Sequence, residues 1–397
     1  MPQLAKKQDC TGCMACYNAC NHQAIEITKD KDGFLRPAVK MENCVECELC
    51  KKACPVLIPL EPMCSSPFSY AAWHKKDRTV SSSGGAFSAF ARMTLAQGGV
   101  VAGAAYDKNL HLRHVIIDKV DELPTLRGSK YVQSEIGDIF KVIKKYLQDG
   151  RKVLFCGTPC QVAGLRGFLR IDFDNLLTAD LVCHGVPSDS VFQSYISKLR
   201  TRFSKDEDCL KNYEFRRKEV WAKIPSITSK NASIPLYGVD ALYVDAFNKG
   251  AIFRESCYRC PFAQIPRVGD VTLGDFWGIG RHGKKFKYNV MKGVSLILVN
   301  SEKGQKSLSA LGEDVFMEQR TLEEAIIENH NLIGPSVRHV LRDEIIESFL
   351  NEQMSLEEID REFHLVDVSL KGQVKMWSLK LGIFEKVKAF YNWYKSL

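Results

Sequence analysis

Two cysteine runs of identical spacing lie within the first 55 residues of this chain and restrict what its N-terminus can fold into. Three thiolates at two-residue intervals on a tight loop can ligate three irons of one cubane cluster, and the fourth cysteine of such a run ligates the neighbouring cluster. The runs are Cys10-x2-Cys13-x2-Cys16-x3-Cys20 and Cys44-x2-Cys47-x2-Cys50-x3-Cys54-Pro55. The spacing predicts two [4Fe-4S] clusters, one on Cys10, Cys13, Cys16 and Cys54 and the other on Cys44, Cys47, Cys50 and Cys20.

Residues 1–60 resemble the bacterial two-cluster ferredoxin domain, so we expect an α+β, ferredoxin-like N-terminal domain. One departure from that pattern is Asn21, where the first run of such domains normally carries proline. This difference affects the turn rather than the ligands. A zinc ribbon is the alternative interpretation, but it needs two cysteine pairs rather than two four-cysteine runs.

The chain has 397 residues, which is too long for a ferredoxin domain alone, and we expect a redox-active domain to be fused to it. Fifteen cysteines and an N-terminus, MPQLAKKQDC, without an apolar signal segment favour a reducing, cytoplasmic location. No apolar run approaches the roughly 18 residues that span a bilayer. The net charge of +8 is spread out without a basic stripe, which argues against nucleic-acid binding.

The pattern of prolines and apolar residues divides the rest of the chain. We expect a proline-rich linker over 61–67, since proline disfavours helix and extends the chain. Strand-like apolar segments such as Gly99–Tyr106 then alternate with amphipathic helical segments such as Ile136–Leu147, which predicts a larger α/β domain with a mixed sheet over 68–300. We expect 301–397 to be a helical extension that ends in a basic amphipathic helix over Lys371–Leu397. Such a helix can lie on an anionic membrane surface, but docking on its own domain or on a partner is the commoner fate.

Four further cysteines stand at positions where they can meet. Cys160 and Cys183 each follow a predicted strand, and α/β folds place ligands at such sheet ends. Cys257-x2-Cys260 has the spacing at which two cysteines of one loop bind the same metal centre. These four thiols can close a third [4Fe-4S] site. The alternative is that Cys160 and Cys183 are small buried apolar residues and that the loop pair binds zinc or nothing.

A serine- and glycine-rich turn, Ser81–Gly85, precedes a predicted helix over Ala86–Gln97. Its hydroxyls and backbone N–H groups can cradle a pyrophosphate at the positive end of the helix, although a serine-capped helix explains the same residues. Lys130 can neutralise the phosphates. His184 is the candidate proton-transfer residue because an unperturbed histidine titrates near neutrality, and a buried structural histidine is the alternative.

Several motifs together resemble the coenzyme F420 hydrogenase/dehydrogenase beta-subunit family over residues 68–300. They are Ser83-Gly84-Gly85, Gly128-Ser129-Lys130-Tyr131-Val132, Gly157-Thr158-Pro159-Cys160-Gln161, Cys183-His184-Gly185, Cys257-x2-Cys260 and Gly269-Asp270-x3-Gly274-Asp275-Phe276-Trp277-Gly278. Members of that family are iron–sulfur flavoproteins. The resemblance implies a third cluster on Cys160, Cys183, Cys257 and Cys260, and FAD contacts from Ser83, Gly84, Gly85, Gly128, Ser129, Lys130, Asp270, Asp275 and Trp277. Cys64, Cys156 and Cys209 match no ligand position and are interpreted as structural.

The resemblance further implies an oxidoreductase that moves electrons between a diffusible two-electron compound, such as a deazaflavin coenzyme, and a ferredoxin-type or other redox partner protein. The sequence has no GxGxxG and no GxxxxGK[ST] pattern that would favour NAD(P)H or ATP. Two alternatives stay open. One is a reductase of an organic metabolite or sugar, and the other is an iron–sulfur electron carrier or sensor without flavin.

Overall fold

The structure of the chain is a computed structural model that describes residues 2–367, except 62, 65, 204–209, 211, 217–220 and 230–231. Beyond them it describes 372–374, 377–378, 381–384 and 386–387. Most of the amphipathic helix expected over Lys371–Leu397, and Cys209, therefore lie outside the described residues. No helix among the described residues has the length and apolar character needed to cross a membrane.

The N-terminal unit is a small α+β fold in which the two cysteine runs adopt the same local structure. Strands β1 (Ile25–Lys29) and β2 (Leu35–Val39) pair antiparallel. Helices α1 (Ala15–Ala19) and α2 (Leu49–Lys52) contact each other. Each helix begins inside a cysteine run, after Met14 with φ 61° or Glu48 with φ 56°. This arrangement confirms the α+β N-terminal fold.

An eight-stranded mixed sheet forms the centre of the larger domain, with the strand order β13-β3-β12-β11-β7-β6-β4-β5. Strands β4, β6, β7 and β11 run parallel, and the remaining neighbours pair antiparallel. The strands are β3 (Phe68–His74), β4 (Val100–Tyr106), β5 (Leu112–Ile117), β6 (Val153–Gly157), β7 (Leu176–Leu181), β11 (Val271–Asp275), β12 (Ser295–Val299) and β13 (Val315–Arg320). The mixed sheet confirms the predicted fold class. Because β13 pairs with β3, the sheet continues past residue 300, where the sequence suggested that a helical extension begins.

Helices cover both faces of this sheet, as expected for parallel strands that read as apolar runs. Helices α3 (Ala86–Ala96) and α9 (Glu302–Ser309) contribute to the apolar core on one face, which includes Val101 and Ala105. Helices α5 (Ile139–Gln148) and α6 (Pro159–Leu169) pack on the other face with Val100 and Ala102. The alternation along β4 is the two-residue period of a strand.

A second helical layer with a small antiparallel sheet, in the order β10-β9-β8, completes the described structure. The sheet consists of β8 (Asn212–Glu214), β9 (Ser226–Ser229) and β10 (Ala232–Pro235). The other helices are α4 (Leu123–Leu126), α7 (Asp189–Phe203), α8 (Leu242–Asn248), α10 (Leu322–Ile327), α11 (Arg342–Leu350) and α12 (Leu356–Phe363). Helices α7, α8, α11 and α12 share one apolar core, which includes Phe192, Tyr243 and Phe349.

Helix α6 joins the two units. Thr158 and Gln161 form a capping box around Pro159 at its start, which fixes where the helix begins after β6. Its two glycines face the N-terminal unit: a Cβ at Gly164 would lie 2.9 Å from Cys13 Cβ, and one at Gly167 would lie 2.5 Å from the Ala53 carbonyl oxygen. The ferredoxin-like unit therefore packs on α6 where no side chain intervenes.

Candidate functional site

A large cavity of about 280 Å³ opens at the carboxyl ends of β6, β7 and β11. This edge of an α/β sheet is where such folds bind ligands. The cavity brings together most of the residues expected to contact a flavin. Those that line it are Ser83, Gly85, Gly128, Ser129, Lys130, Asp275 and Trp277, together with His184.

The serine-rich turn and the loop after α4 form one wall of this cavity. The two segments are joined because the Ser129 N–H donates to Ser82 Oγ over 2.9 Å. Gly85 is the N-cap residue of α3 and has φ 86°, a conformation that favours glycine. Gly84 does not line the cavity. A Cβ there would lie 2.2 Å from the Ala72 carbonyl oxygen, so Gly84 serves the close packing of the turn on β3.

Lys130 brings a cation to the same wall. Its Nζ donates to the backbone carbonyls of Leu126, Arg127 and Gly128, at 3.1, 2.8 and 3.2 Å. Burial lowers the pKa of Lys130 to about 8. Arg127 differs because it is paired with Asp77, at 3.0 Å. The ammonium of Lys130, whose hydrogen bonds to described residues all go to neutral oxygens, is therefore better placed than Arg127 to meet an anionic ligand.

A paired carboxylate, Asp275, and an indole, Trp277, form another part of the cavity wall. Arg216 donates to both oxygens of Asp275, at 2.5 and 3.1 Å, and Trp221 donates to the same carboxylate at 2.6 Å. Because of Arg216 the pKa of Asp275 lies below its usual value despite burial. Trp277 stacks on Trp221 with ring centroids 4.7 Å apart. Asp275 is therefore ionised and held in place.

Asp270 lies away from the cavity, at the opposite end of β11. Its carboxylate accepts hydrogen bonds from the Thr178 backbone and hydroxyl at 2.8 and 2.7 Å, and from Ser301 Oγ at 2.6 Å. Asp270 thus ties β7 and the start of α9 together, which is a structural role. The sequence-based prediction of a flavin contact does not fit this position.

Sequence reasoning missed a buried polar network on the cavity floor. His114 contacts Ser134 Oγ at 2.9 Å and the Cys156 carbonyl oxygen at 3.2 Å, and Gln161 donates to Ser134 Oγ at 3.0 Å. Burial lowers the pKa of His114 to about 4 and raises that of the Cys156 thiol to about 12. Single polar residues scattered over 114–161 carry no local motif that would have revealed this network.

A second cavity is lined by Cys160, Cys183, Cys257 and Cys260, which we call the third cysteine group. Burial and the neighbouring thiols of Cys257, Cys160 and Cys260 raise the pKa of Cys183 well above its usual value. Thiols that disfavour one another's ionisation in this way are the donor set that a bound iron centre deprotonates and stabilises. The four residues therefore fit a cubane cluster.

The two cavities share a wall. Thr158, Cys183, His184, Gly185 and Val186 line both of them. Burial, then Lys223, lower the pKa of His184 to about 4, so its imidazole is neutral at pH 7. The candidate proton-transfer residue thus lies between the large cavity and the third cysteine group.

The N-terminal cysteines form two more groups. Cys10, Cys13, Cys16 and Cys54, the first cysteine group, are near neighbours: burial and then the thiols of Cys13, Cys10 and Cys54 raise the pKa of Cys16. Cys20, Cys44, Cys47 and Cys50, the second cysteine group, line a third cavity. Each group combines three residues of one run with the last cysteine of the other. Burial, and then the nearby thiols of Cys54 and Cys160, raise the pKa of Cys13, so the first group adjoins the third.

Among the described residues, no three His, Cys, Asp or Glu side chains converge on a point that would hold a single metal ion. A cubane is instead ligated at its separate corners. Cys156 lies in the wall of the large cavity, and Cys64 is half-buried in the 61–67 segment. Neither belongs to a cysteine group.

The fold and these sites define an iron–sulfur protein built on an α/β scaffold, and comparisons with known proteins specify its family. Residues 69–141 and 150–325 match the N-terminal and C-terminal models of the coenzyme F420 hydrogenase/dehydrogenase beta subunit, which together cover more than half of the chain. Residues 9–58 match a 4Fe-4S dicluster domain. The chain belongs to the coenzyme F420 hydrogenase/dehydrogenase beta-subunit family, and it is an iron–sulfur oxidoreductase that transfers electrons.

One solved structure that resembles the chain is a component of the F420-reducing [NiFe] hydrogenase complex from Methanosarcina barkeri. That component is 16% identical in sequence, with a TM-score of 0.45, and the match covers 76% of this chain and 94% of the other. No curated protein matches the sequence significantly.

Proposed function

We propose that this protein is a three-cluster iron–sulfur flavoprotein that transfers electrons between a diffusible two-electron compound and a one-electron redox partner protein. The observation that carries the proposal is the wall shared by the large cavity and the cavity of the third cysteine group. FAD would occupy the first cavity and a [4Fe-4S] cluster the second. A flavin exchanges electron pairs with organic compounds and single electrons with clusters, which is the chemistry this arrangement needs.

The residues of the large cavity support FAD as the ligand. The backbone of the serine turn at Gly85 and the ammonium of Lys130 offer donors to a pyrophosphate at the start of α3. Trp277 and the neutral His184 offer apolar and hydrogen-bonding surfaces, and His184 also lines the cavity of the third cysteine group. The cavity thus combines backbone donors, a cation and an aromatic surface, which are the groups that FAD requires.

The order of the cysteine groups supports a route for single electrons. The third group adjoins the large cavity, and the thiols of Cys160 and Cys13 bring the third and first groups next to each other. Helices α1 and α2 bring the first and second groups together. Cys47 of the second group is exposed, so the outermost cluster lies where a partner protein can reach it.

The experiment that tests this proposal is a cofactor count on anaerobically purified protein. Three cubanes give about twelve irons and twelve sulfides per chain, and one FAD should be released by acid. Cys257→Ala should lower the iron content towards about eight without changing the N-terminal clusters. Cys64→Ala, outside the three groups, is the matched control and should keep the full count. Wild-type protein that saturates near eight irons, or that binds no flavin, contradicts the proposal.

A further inference from the structure

Arg254 is a fully buried arginine, 0% exposed, beside Cys10 of the first cysteine group and Cys257 of the third. Its Nη1 donates to the Cys10 carbonyl oxygen at 3.2 Å. Its own carbonyl oxygen accepts a hydrogen bond from the Cys257 N–H at 2.9 Å. One residue therefore touches a ligand loop of each group.

The hydrogen bonds of the Arg254 guanidinium to described residues all go to neutral oxygens. Nε and Nη2 donate to Gln133 Oε1 at 3.1 and 2.9 Å, and Nη2 donates to the Leu35 carbonyl oxygen at 2.7 Å. The ring of Phe34 lies 4.8 Å from its Cζ. Its charged surroundings are Arg36, Asp30 and the thiols of Cys10 and Cys257, and the carboxylate of Asp30 is itself paired with Arg36 at 2.8 Å. Burial, then Arg36, lower the pKa of Arg254 to about 10, so it is charged at pH 7.

The backbone is shaped to admit this side chain. Gly12, between two ligands of the first group, has φ 69°, and a Cβ there would lie 2.7 Å from Arg254 Nη2. Gln133, which holds the guanidinium, also donates to the Thr11 carbonyl oxygen at 3.1 Å. Burying a cation without a counter-charge is costly, so a bound negative group near it has to compensate.

A cubane ligated by four thiolates is such a negative group, and it gains a further negative charge when it is reduced. We propose that the positive charge of Arg254 raises the reduction potentials of the first and third clusters. This charge thereby favours electron transfer between the two clusters. Net charge near a cluster is one of the factors that set its potential. This inference rests on the proposed three-cluster function. None of the hydrogen bonds of Arg254 within the described chain reaches the second cysteine group, so the second cluster serves as an internal reference.

The test is a redox titration of the whole protein monitored by electron paramagnetic resonance, with the cofactor content measured first. In Arg254→Gln the potentials of the first and third clusters should both shift to lower values, while that of the second cluster stays unchanged. Arg254→Lys keeps the charge and loses the forked contacts, so its potentials should stay nearer the wild type. Equal shifts in the two variants, or no shift in Arg254→Gln, would overturn the proposal.

A second variant covers the case in which Arg254→Gln loses iron. Gln133→Glu keeps an acceptor for the Arg254 guanidinium and places a carboxylate beside it. The negative charge of that carboxylate offsets the positive charge of Arg254, so the variant should lower the same two potentials. Unchanged potentials in Gln133→Glu would count against the charge of Arg254. Wild-type protein that lacks the third cluster or the flavin would contradict the proposed function itself, and the cofactor count reveals that separately.

Discussion

Gly85 holds a left-handed conformation at the point where the serine turn meets the large cavity. An added Cβ would lie 3.2 Å from Ser81 Oγ, whereas a Cβ at Gly98, with φ 72°, would meet nothing within 4 Å. Alanine at either position should therefore cost about 1 kcal/mol of stability. We expect Gly85→Ala alone to weaken FAD binding, by about tenfold or about 1.4 kcal/mol, because it also crowds the turn.

The measurement is a fluorescence titration of flavin-depleted protein with FAD, combined with urea unfolding. Gly98→Ala is the matched control for backbone strain. If the two variants bind FAD equally well, the Ser81–Gly85 turn is only the start of a helix.

His114 makes stability depend on pH. Its pKa is about 4 in the folded protein, against 6.5 for an unperturbed histidine. Below about pH 6.5 the unfolded chain takes up a proton that the folded protein does not, so the stabilisation is complete above that pH and is lost as pH falls towards 4. The effect amounts to roughly 3 kcal/mol at most. We expect the difference in unfolding free energy between wild type and His114→Gln to shrink from pH 7.5 to pH 5, measured anaerobically. A difference that is independent of pH would contradict this assignment.

Residues in compact motifs could be located from the sequence, and residues joined by folding could not. The cysteine spacing and the Ser81–Gly85 turn are local patterns, and the structure brings most of the residues predicted from them to the cavities. The pairing of Arg216 with Asp275 and the contact of Arg254 with Cys10 join positions 59 and 244 apart in the chain. Such contacts depend on the whole fold and leave no local signal. Asp270 shows the opposite error, because a residue in a recognisable motif lies at the far end of its strand.

At the level of secondary-structure elements, α6 tests how the N-terminal unit is held. Alanine in place of a helix-interior glycine normally stabilises a helix by about 1 kcal/mol. At Gly164, however, the added Cβ would lie 2.9 Å from Cys13 Cβ and 3.0 Å from its Sγ. We expect Gly164→Ala to destabilise the protein and to displace the Cys13 loop, with iron content falling by up to about four.

The sign of the stability change in Gly164→Ala shows whether the gain in helix propensity or the clash with Cys13 is the larger effect. Thermal unfolding and iron analysis of Gly164→Ala give both readouts. A more stable protein with full iron content would show that the N-terminal unit does not pack on α6 as described.

Helix and strand identities followed from local signals more closely than their arrangement did. The expected helix over Ala86–Gln97 is observed as Ala86–Ala96, and the expected strand over Gly99–Tyr106 as Val100–Tyr106. A helix expected from Ile136 begins at Ile139, after Gly137 with φ 52°. Strand β13 pairs with β3 more than 240 positions earlier, so its place in the sheet had no local signature.

At the scale of the whole molecule, the cavities and cysteine groups form a series from the sheet edge to the protein surface. The large cavity adjoins the third group, the third adjoins the first through Cys160 and Cys13, and the second group includes the exposed Cys47. In such a series the second cluster is needed to pass electrons to a partner protein. It is not needed for the reaction in the large cavity. This separation can be tested with one substitution.

Cys47→Ala should remove the second cluster, lowering the iron content by about four, while FAD and the other two clusters remain. Because Cys47 is exposed, its loss removes few buried contacts, and the fold should persist. We expect photoreduction of the bound flavin to be unaffected in this variant, whereas subsequent reduction of an added oxidised ferredoxin should slow by at least about tenfold. Cys64→Ala is the control, since it removes a thiol outside all three groups. Stopped-flow absorbance distinguishes the two steps, and an unchanged rate of ferredoxin reduction would mean that electrons leave from the first or third cluster directly.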